Sequence, residues 1–184
     1  MNLEFWVVDA NIFFEVLREI EQNPNDPPKC SKNSFQRPAM TFLSKFAGKR
    51  PSCKFVYSRT NLGEYKTSFD RWKNYAEHPE LRFLLISIPA NFRRGAYKKV
   101  KTDTEKANEL RNLLRNHGLP KSKDAEYVVV AKFSGVSPIP DVVTCDSEFE
   151  RAREYIERFA QVTVCQPVDA LKELEQASDA ADGR

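Results

Sequence analysis

The chain has 184 residues, enough for one domain with a sizeable hydrophobic core. Its 41% hydrophobic and 30% charged residues, with 13 Phe, 6 Tyr and 2 Trp, exclude a disordered chain. The formal net charge of +3 permits a nucleic-acid partner without requiring one, and no apolar stretch nears the ~20 residues of a membrane span.

Residues 3–8 read as a strand, apolar with aromatic and β-branched members. Glu4, with no Lys or Arg ahead of the apolar run, does not fit a signal peptide. Asp9 then interrupts two apolar runs, a costly place for a carboxylate unless it is paired, hydrogen-bonded or bound to a metal. Ile12, Phe13, Val16, Leu17 and Ile20 give a helical stripe that stops before the Pro- and Asn-rich stretch 23–38, read as a long surface loop. A short helix is expected at 38–48 and a strand at 53–57. Leu62, Tyr65, Phe69, Trp72 and Ala76 mark another helix, bounded by Pro79. "LRFLLISI" at 81–88 reads as a strand. The basic segment 93–101 follows, and a helix is expected from Thr102, where Thr102 and Glu105 have capping-box spacing.

Gly118 and Pro120 end that helix. Residues 122–134 are ambiguous: three consecutive valines favour a strand, the acidic first turn a helix. A strand at 142–145, a helix striped by Phe149, Ala152, Ile156 and Phe159 with Ser147 and Glu150 as its cap, a strand at 161–165 and a helix at 168–176 complete the pattern. The tail from Ser178 is expected to fray. Strands alternating with helices predict an α/β fold: a mainly parallel central sheet between helical layers, as a single domain over 1–176 with loop insertions near 23–38 and 90–103. Cys30, Cys53, Cys145 and Cys165 lack C-x-x-C spacing and read as mostly buried thiols of a cytoplasmic protein.

In open α/β sheets, ligands bind at the carboxyl ends of the strands. Asp9 and Asp146 each follow a strand directly, and Glu64 and Asp124 fall early in helices. Each has a structural alternative. Asp146 suits a helix N-cap, Glu64 could close a capping box with Asn61, and Asp124 could complement a helix dipole. Together at one sheet edge, such acids repel unless a cation holds them or some stay protonated. An all-oxygen set suits Mg²⁺ or Mn²⁺.

The segments "VVDANIF" (7–13), "LGEYKT" (62–67), "KDAEYVVVA" (123–131) and "VVTCDSEF" (142–149) resemble the PIN domain, most of all the VapC-type toxin ribonucleases of toxin–antitoxin pairs. The resemblance spans roughly residues 3–175 and implies a three-layer PIN-like sandwich in which 123–133 is helical. It further implies a ribonuclease whose Asp9, Asp124 and Asp146 hold one or two Mg²⁺ or Mn²⁺ ions, with Glu64 a ligand directly or through water. Asn11 and Thr144 would orient Asp9 and Asp146. The chain is longer than a compact VapC-type toxin, so a stand-alone PIN-like protein that processes or binds RNA is the alternative. An antitoxin partner and a homodimer are further expectations.

Arg93, Arg94, Lys98, Lys99 and Lys101, with Tyr97 among them, could follow an RNA backbone or form a solvated charged loop. Glu148 could add a further acid to the set, but a solvated helix position is the preferred reading. Two rivals remain. A PIN-like binding module without catalysis would have no need of four mutually repelling carboxylates. A phosphoacceptor receiver domain wants paired acids after the first strand, where this chain has Ala10 and Asn11.

Overall fold

A computed structural model describes residues 4–22, 37–48, 53–93, 97–119 and 121–182. Most of the expected 23–38 loop, along with Cys30 and Arg94, lies outside the described residues. The fold is α/β: five parallel strands between layers of helices, the three-layer arrangement expected. The strands are β1 (Glu4–Val8), β2 (Cys53–Tyr57), β3 (Tyr97–Lys99), β4 (Asp141–Val143) and β5 (Val164–Cys165), in the order β3-β2-β1-β4-β5. β1 is central, with Trp6 opposite Phe55 of β2 and Val8 opposite Val143 of β4. All five strands run the same way, so all their carboxyl ends meet one edge.

The helices are α1 (Ala10–Gln22), α2 (Pro38–Gly48), α3 (Arg59–Trp72), α4 (Pro79–Arg93), α5 (Glu105–Asn116), α6 (Ser122–Lys132), α7 (Ser147–Arg151), α8 (Arg153–Ala160) and α9 (Pro167–Asp182). α2 packs against α1, α4 and α9, while α5, α6 and α8 pack on one another. α1 is locked to α3 by an aromatic cluster in which the Phe13 ring lies 5.0–5.4 Å from those of Tyr65, Phe69 and Trp72. Each such ring buried contributes about 1.5–3 kcal/mol. Their polar ends are satisfied: Trp72 Nε1 donates to Phe13 O at 2.8 Å, and the Tyr65 hydroxyl donates to Val8 O.

Several expected elements are corrected. The 81–88 run is the middle of α4, not a strand. Leu81, Leu84 and Ile88 are buried while Arg82, Phe83 and Ile86 are exposed, a helical period that the surrounding apolar residues hide. Pro79 at the first helical position and Glu80 in the first turn supply the start signal. The 90–103 segment, expected as a loop insertion, contains the end of α4 and the edge strand β3. β3 is held by backbone pairing to β2, with Tyr57 opposite Lys99, and lysines are what an edge strand tolerates.

α5 starts at Glu105, capped by Thr104 rather than Thr102: Ala107 N–H donates to Thr104 Oγ1 at 3.3 Å. It ends at Gly118, whose φ of +118° suits glycine and whose missing Cβ would stand 3.1 Å from Ala152 Cβ. α6 is helical and buried continuously from Asp124 to Ala131, so neither period could show in its sequence. The helix expected after 146 is divided at Ala152 into α7 and α8, and Asp146 caps it in place of Ser147. α9 continues to Asp182, past the expected fraying point at Ser178. Among the described residues, no helix is long and apolar enough to cross a membrane.

Candidate metal centre

Asp9 ends β1, held there because its N–H donates to Val143 O of β4 at 2.9 Å. Its side chain is buried, and both oxygens are bonded. Oδ1 accepts the Asn11 N–H at 3.1 Å; Oδ2 accepts the Asn11 amide at 3.2 Å and the Thr144 hydroxyl at 2.6 Å. Burial pushes its pKa up to about 7; the Thr144 and Asn11 bonds oppose this, and Asp124 and Asp146 add to it.

Asn11 and Thr144 each hydrogen-bond to both Asp9 and Asp146. The Asn11 amide reaches from Asp9 to Asp146 Oδ2 at 3.2 Å. Thr144 Oγ1 accepts the Asp146 N–H at 3.0 Å while donating to Asp9. One amide and one hydroxyl therefore hold the two residues beside each other, just past the ends of the neighbouring strands β1 and β4. Asp146 is also the N-cap of α7, since its Oδ1 accepts the Glu148 N–H at 2.8 Å. Capping and site roles coexist because they use different oxygens.

That cap brings in an acid the sequence reading left in solvent. Glu148 is half-buried, and one oxygen each of Asp124, Asp146 and Glu148 lie within 4.8 Å of one another. The sequence signal was its position two residues after a capping Asp, on the side of α7 turned back toward the cap. Asp9 is outside this closest group and joins it through Asn11.

Asp124 Oδ2 and Glu148 Oε2 are both buried and have no hydrogen-bond partner among the described residues. Lys121 Nζ forms an ion pair with Asp124 Oδ2 at 3.7 Å, too long for a hydrogen bond, and stands 3.1 Å from Glu148 Oε1. Burial pushes the Asp124 pKa up to about 6; Lys121 opposes the shift, while Asp146 and Glu148 reinforce it, Glu148 also because the two carboxyl groups lie close enough to share a proton. An orphaned buried carboxylate oxygen costs roughly 1–3 kcal/mol or more. Two of them facing a third carboxylate fit a divalent cation, whose oxygen ligands these residues would supply.

Glu64 is placed differently. The capping box at the start of α3 uses Ser58 and Asn61, not Asn61 and Glu64, which leaves Glu64 free to bond elsewhere. Its Oε2 accepts the Tyr127 hydroxyl at 2.6 Å, and its Oε1 lies 3.3 Å from Lys123 Nζ. Tyr127 Oη in turn accepts the Ala10 N–H at 3.1 Å, so Glu64 is tied to the residue after Asp9 rather than to the three-acid group. Its hydrogen-bonded link favours an indirect role. Of the basic residues, Lys99 and Lys101 are exposed on and just after β3; Arg93 closes α4 and Lys98 lies in β3. Cys165 is buried as expected and Cys145 half-buried, its thiol pushed up to about 12 chiefly by burial.

No family model matches the chain, and no curated protein or solved structure matches it significantly.

Proposed function

We propose that the chain is a divalent-metal-dependent endoribonuclease of the PIN type that hydrolyses RNA phosphodiester bonds. One observation carries the proposal: Asp124, Asp146 and Glu148 converge at the carboxyl edge of a parallel sheet, with two buried oxygens to which no protein donor hydrogen-bonds. Asp124, Asp146 and Glu148 hold the ion, and Asp9 supports them across the Asn11 bridge. When bound, Mg²⁺ or Mn²⁺ supplies water activation at neutral pH and neutralises charge at the phosphate. Asn11 and Thr144 fix the orientation of Asp146; Lys121 balances Glu148 until substrate arrives. Glu64, held by Tyr127, sets the charge beside Lys123. The exposed Lys99 and Lys101 draw in the RNA backbone.

The test is cleavage of a mixed RNA pool in Mg²⁺ or Mn²⁺ by wild type, Asp146→Asn, and wild type with EDTA. Cutting is expected in the metal-loaded wild type alone. Full activity in Asp146→Asn would remove that residue from the centre. A toxin role, with an antitoxin covering the acidic edge, extends the same proposal. Expression should then arrest growth and a partner protein relieve it; equal growth of cells expressing wild type and Asp9→Asn would overturn the extension and leave an RNA-processing enzyme.

A further inference from the structure

A pocket of about 340 Å³ opens beside the acidic centre and shares none of its metal-holding carboxylates. Its walls come from four elements that meet at the same sheet edge. Thr60 is in the first turn of α3, Thr102 follows β3, Asn108 and Arg111 are on α5, and Ser122 and Lys123 open α6. The first turn of α6 therefore serves both places: Ser122 and Lys123 line the pocket, and the next residue, Asp124, belongs to the three-acid group.

The floor is rigid. Glu126 is buried, and its Oε2 accepts Arg111 Nη2 at 2.6 Å and Nε at 3.2 Å. Its Oε1 accepts the Thr102 hydroxyl at 2.6 Å, and Arg111 Nη2 also donates to Thr102 O at 3.1 Å. The guanidinium plane is thus fixed before any ligand arrives, the state in which it best stacks on a flat ring. Charge decides the ligand class. Arg111 and Lys123 are matched by Glu126 and Asp103, so the lining is charge-balanced and gives a second phosphate no net attraction. Hydroxyls of Thr60 and Ser122 and the N–H groups of the Asn108 amide offer hydrogen bonds to an uncharged polar group, whereas the Thr102 proton and Asn108 Oδ1 are already used by Glu126 and Arg111. The volume is at the small end for ligand pockets, right for one base with its ribose. The phosphates it would carry have exposed cations nearby in Lys99 and Lys101, which lead straight into Thr102.

We infer that this pocket holds the base and ribose of a single-stranded RNA nucleotide next to the one cleaved, with Arg111 as its stacking plane. The inference rests on the ribonuclease reading, and its test separates the two. Binding of a fluorescent single-stranded RNA hexamer is measured by anisotropy in EDTA, so that no cleavage intrudes. Wild type is compared with Thr60→Leu/Ser122→Leu, two exposed positions whose larger side chains fill the pocket while leaving the Arg111 bonds alone, and with Gln176→Leu on α9 as a distant control. Metal-dependent cleavage by wild type is followed in parallel.

The double variant should bind about five- to tenfold more weakly, the scale of one lost base contact, and the control should match wild type. Unchanged binding in the double variant, with cleavage present, overturns the pocket and leaves the nuclease. Pocket-dependent binding with no cleavage in either metal supports the pocket and overturns the nuclease. A wild type that neither binds nor cuts RNA overturns both.

Discussion

Glu19 and the acids at the sheet edge are both buried carboxylates, and burial pushes Glu19, like Asp9, up to about 7. Their surroundings differ. Glu19 projects from α1 to the start of α2, where Oε1 accepts the Ala39 N–H at 2.8 Å and Oε2 the Met40 N–H at 2.9 Å. Both oxygens close orphan donors of a helix first turn, and nothing is left over. At the edge, Asp124 and Glu148 each keep a buried oxygen to which no protein donor hydrogen-bonds, and the two acids lie close to each other and to Asp146. A perturbed carboxylate is therefore not by itself a functional signal. Unused bonding capacity, held in place against like charge, distinguishes the two regions.

The largest expected effect breaks the comparison outright. Asp124→Asn and Asp146→Asn should each lower cleavage at least about 100-fold, because each removes a charge the cation needs, with Glu148→Gln following more weakly. Glu19→Gln should leave cleavage intact and lower Tm by about 3–6 °C, since an amide can satisfy only one of the two N–H groups. RNA cleavage rates and thermal melts on the same preparations check both. A Glu19 variant that loses activity while keeping its Tm would erase the distinction.

Proton linkage sharpens it. Asp9 and Asp124, raised to about 7 and about 6, hold protons more tightly folded than unfolded, where an Asp titrates near 4. Their contribution to stability is full below about pH 4 and is lost as pH rises through 6 and 7. The metal-free protein should therefore lose Tm between pH 5 and 8. A divalent cation binds the ionised acids, so its affinity should rise about tenfold or more over that interval, with protons released on binding. Calorimetric titration with Mn²⁺ in two buffers of different ionisation enthalpy measures both quantities. Glu19 contributes to the same loss of Tm with pH, but no cation can restore its share.

Asn11→Ala tests whether Asp9 belongs to the centre through its bridge. It removes the amide that donates to both carboxylates and should weaken Mn²⁺ binding about 10- to 100-fold while leaving every proposed ligand in place. Unchanged affinity would confine Asp9 to a structural role.

The sequence made the edge legible because position after a strand is encoded locally. Asp9 and Asp146 could be placed from the apolar runs before them, Asn11 and Thr144 only through the resemblance to the PIN pattern, and the structure brings these four together. Glu148 was not legible, because its place depends on Asp146 capping α7 and so turning that helix toward Asp124. α4 was misread because Phe83, Leu85 and Ile86 fill the gaps in its helical stripe, and β3 was missed because only its pairing with β2 makes it a strand. The Glu126–Arg111 pair was invisible for a related reason: fifteen residues separate the partners, and nothing local marks either one.

Tyr127→Phe has the smallest expected effect and the most specific reading. The Tyr127 hydroxyl accepts from Ala10 N and donates to Glu64 Oε2. Without it, Ala10 N–H is left unpaired beside Asp9, at a cost of about 1–2 kcal/mol. Glu64 would remain paired with Lys123 but lose the bond that ties it to α1. If Glu64 only balances Lys123, cleavage should fall no more than stability requires, and Mn²⁺ affinity should be unchanged. If Glu64 reaches the cation through water, its release should change Mn²⁺ affinity several-fold while the Asp9–Asn11–Asp146 bridge stays intact. A melt and a Mn²⁺ titration of this single variant separate the two, because the hydroxyl touches Glu64 and the backbone but none of the three converging acids.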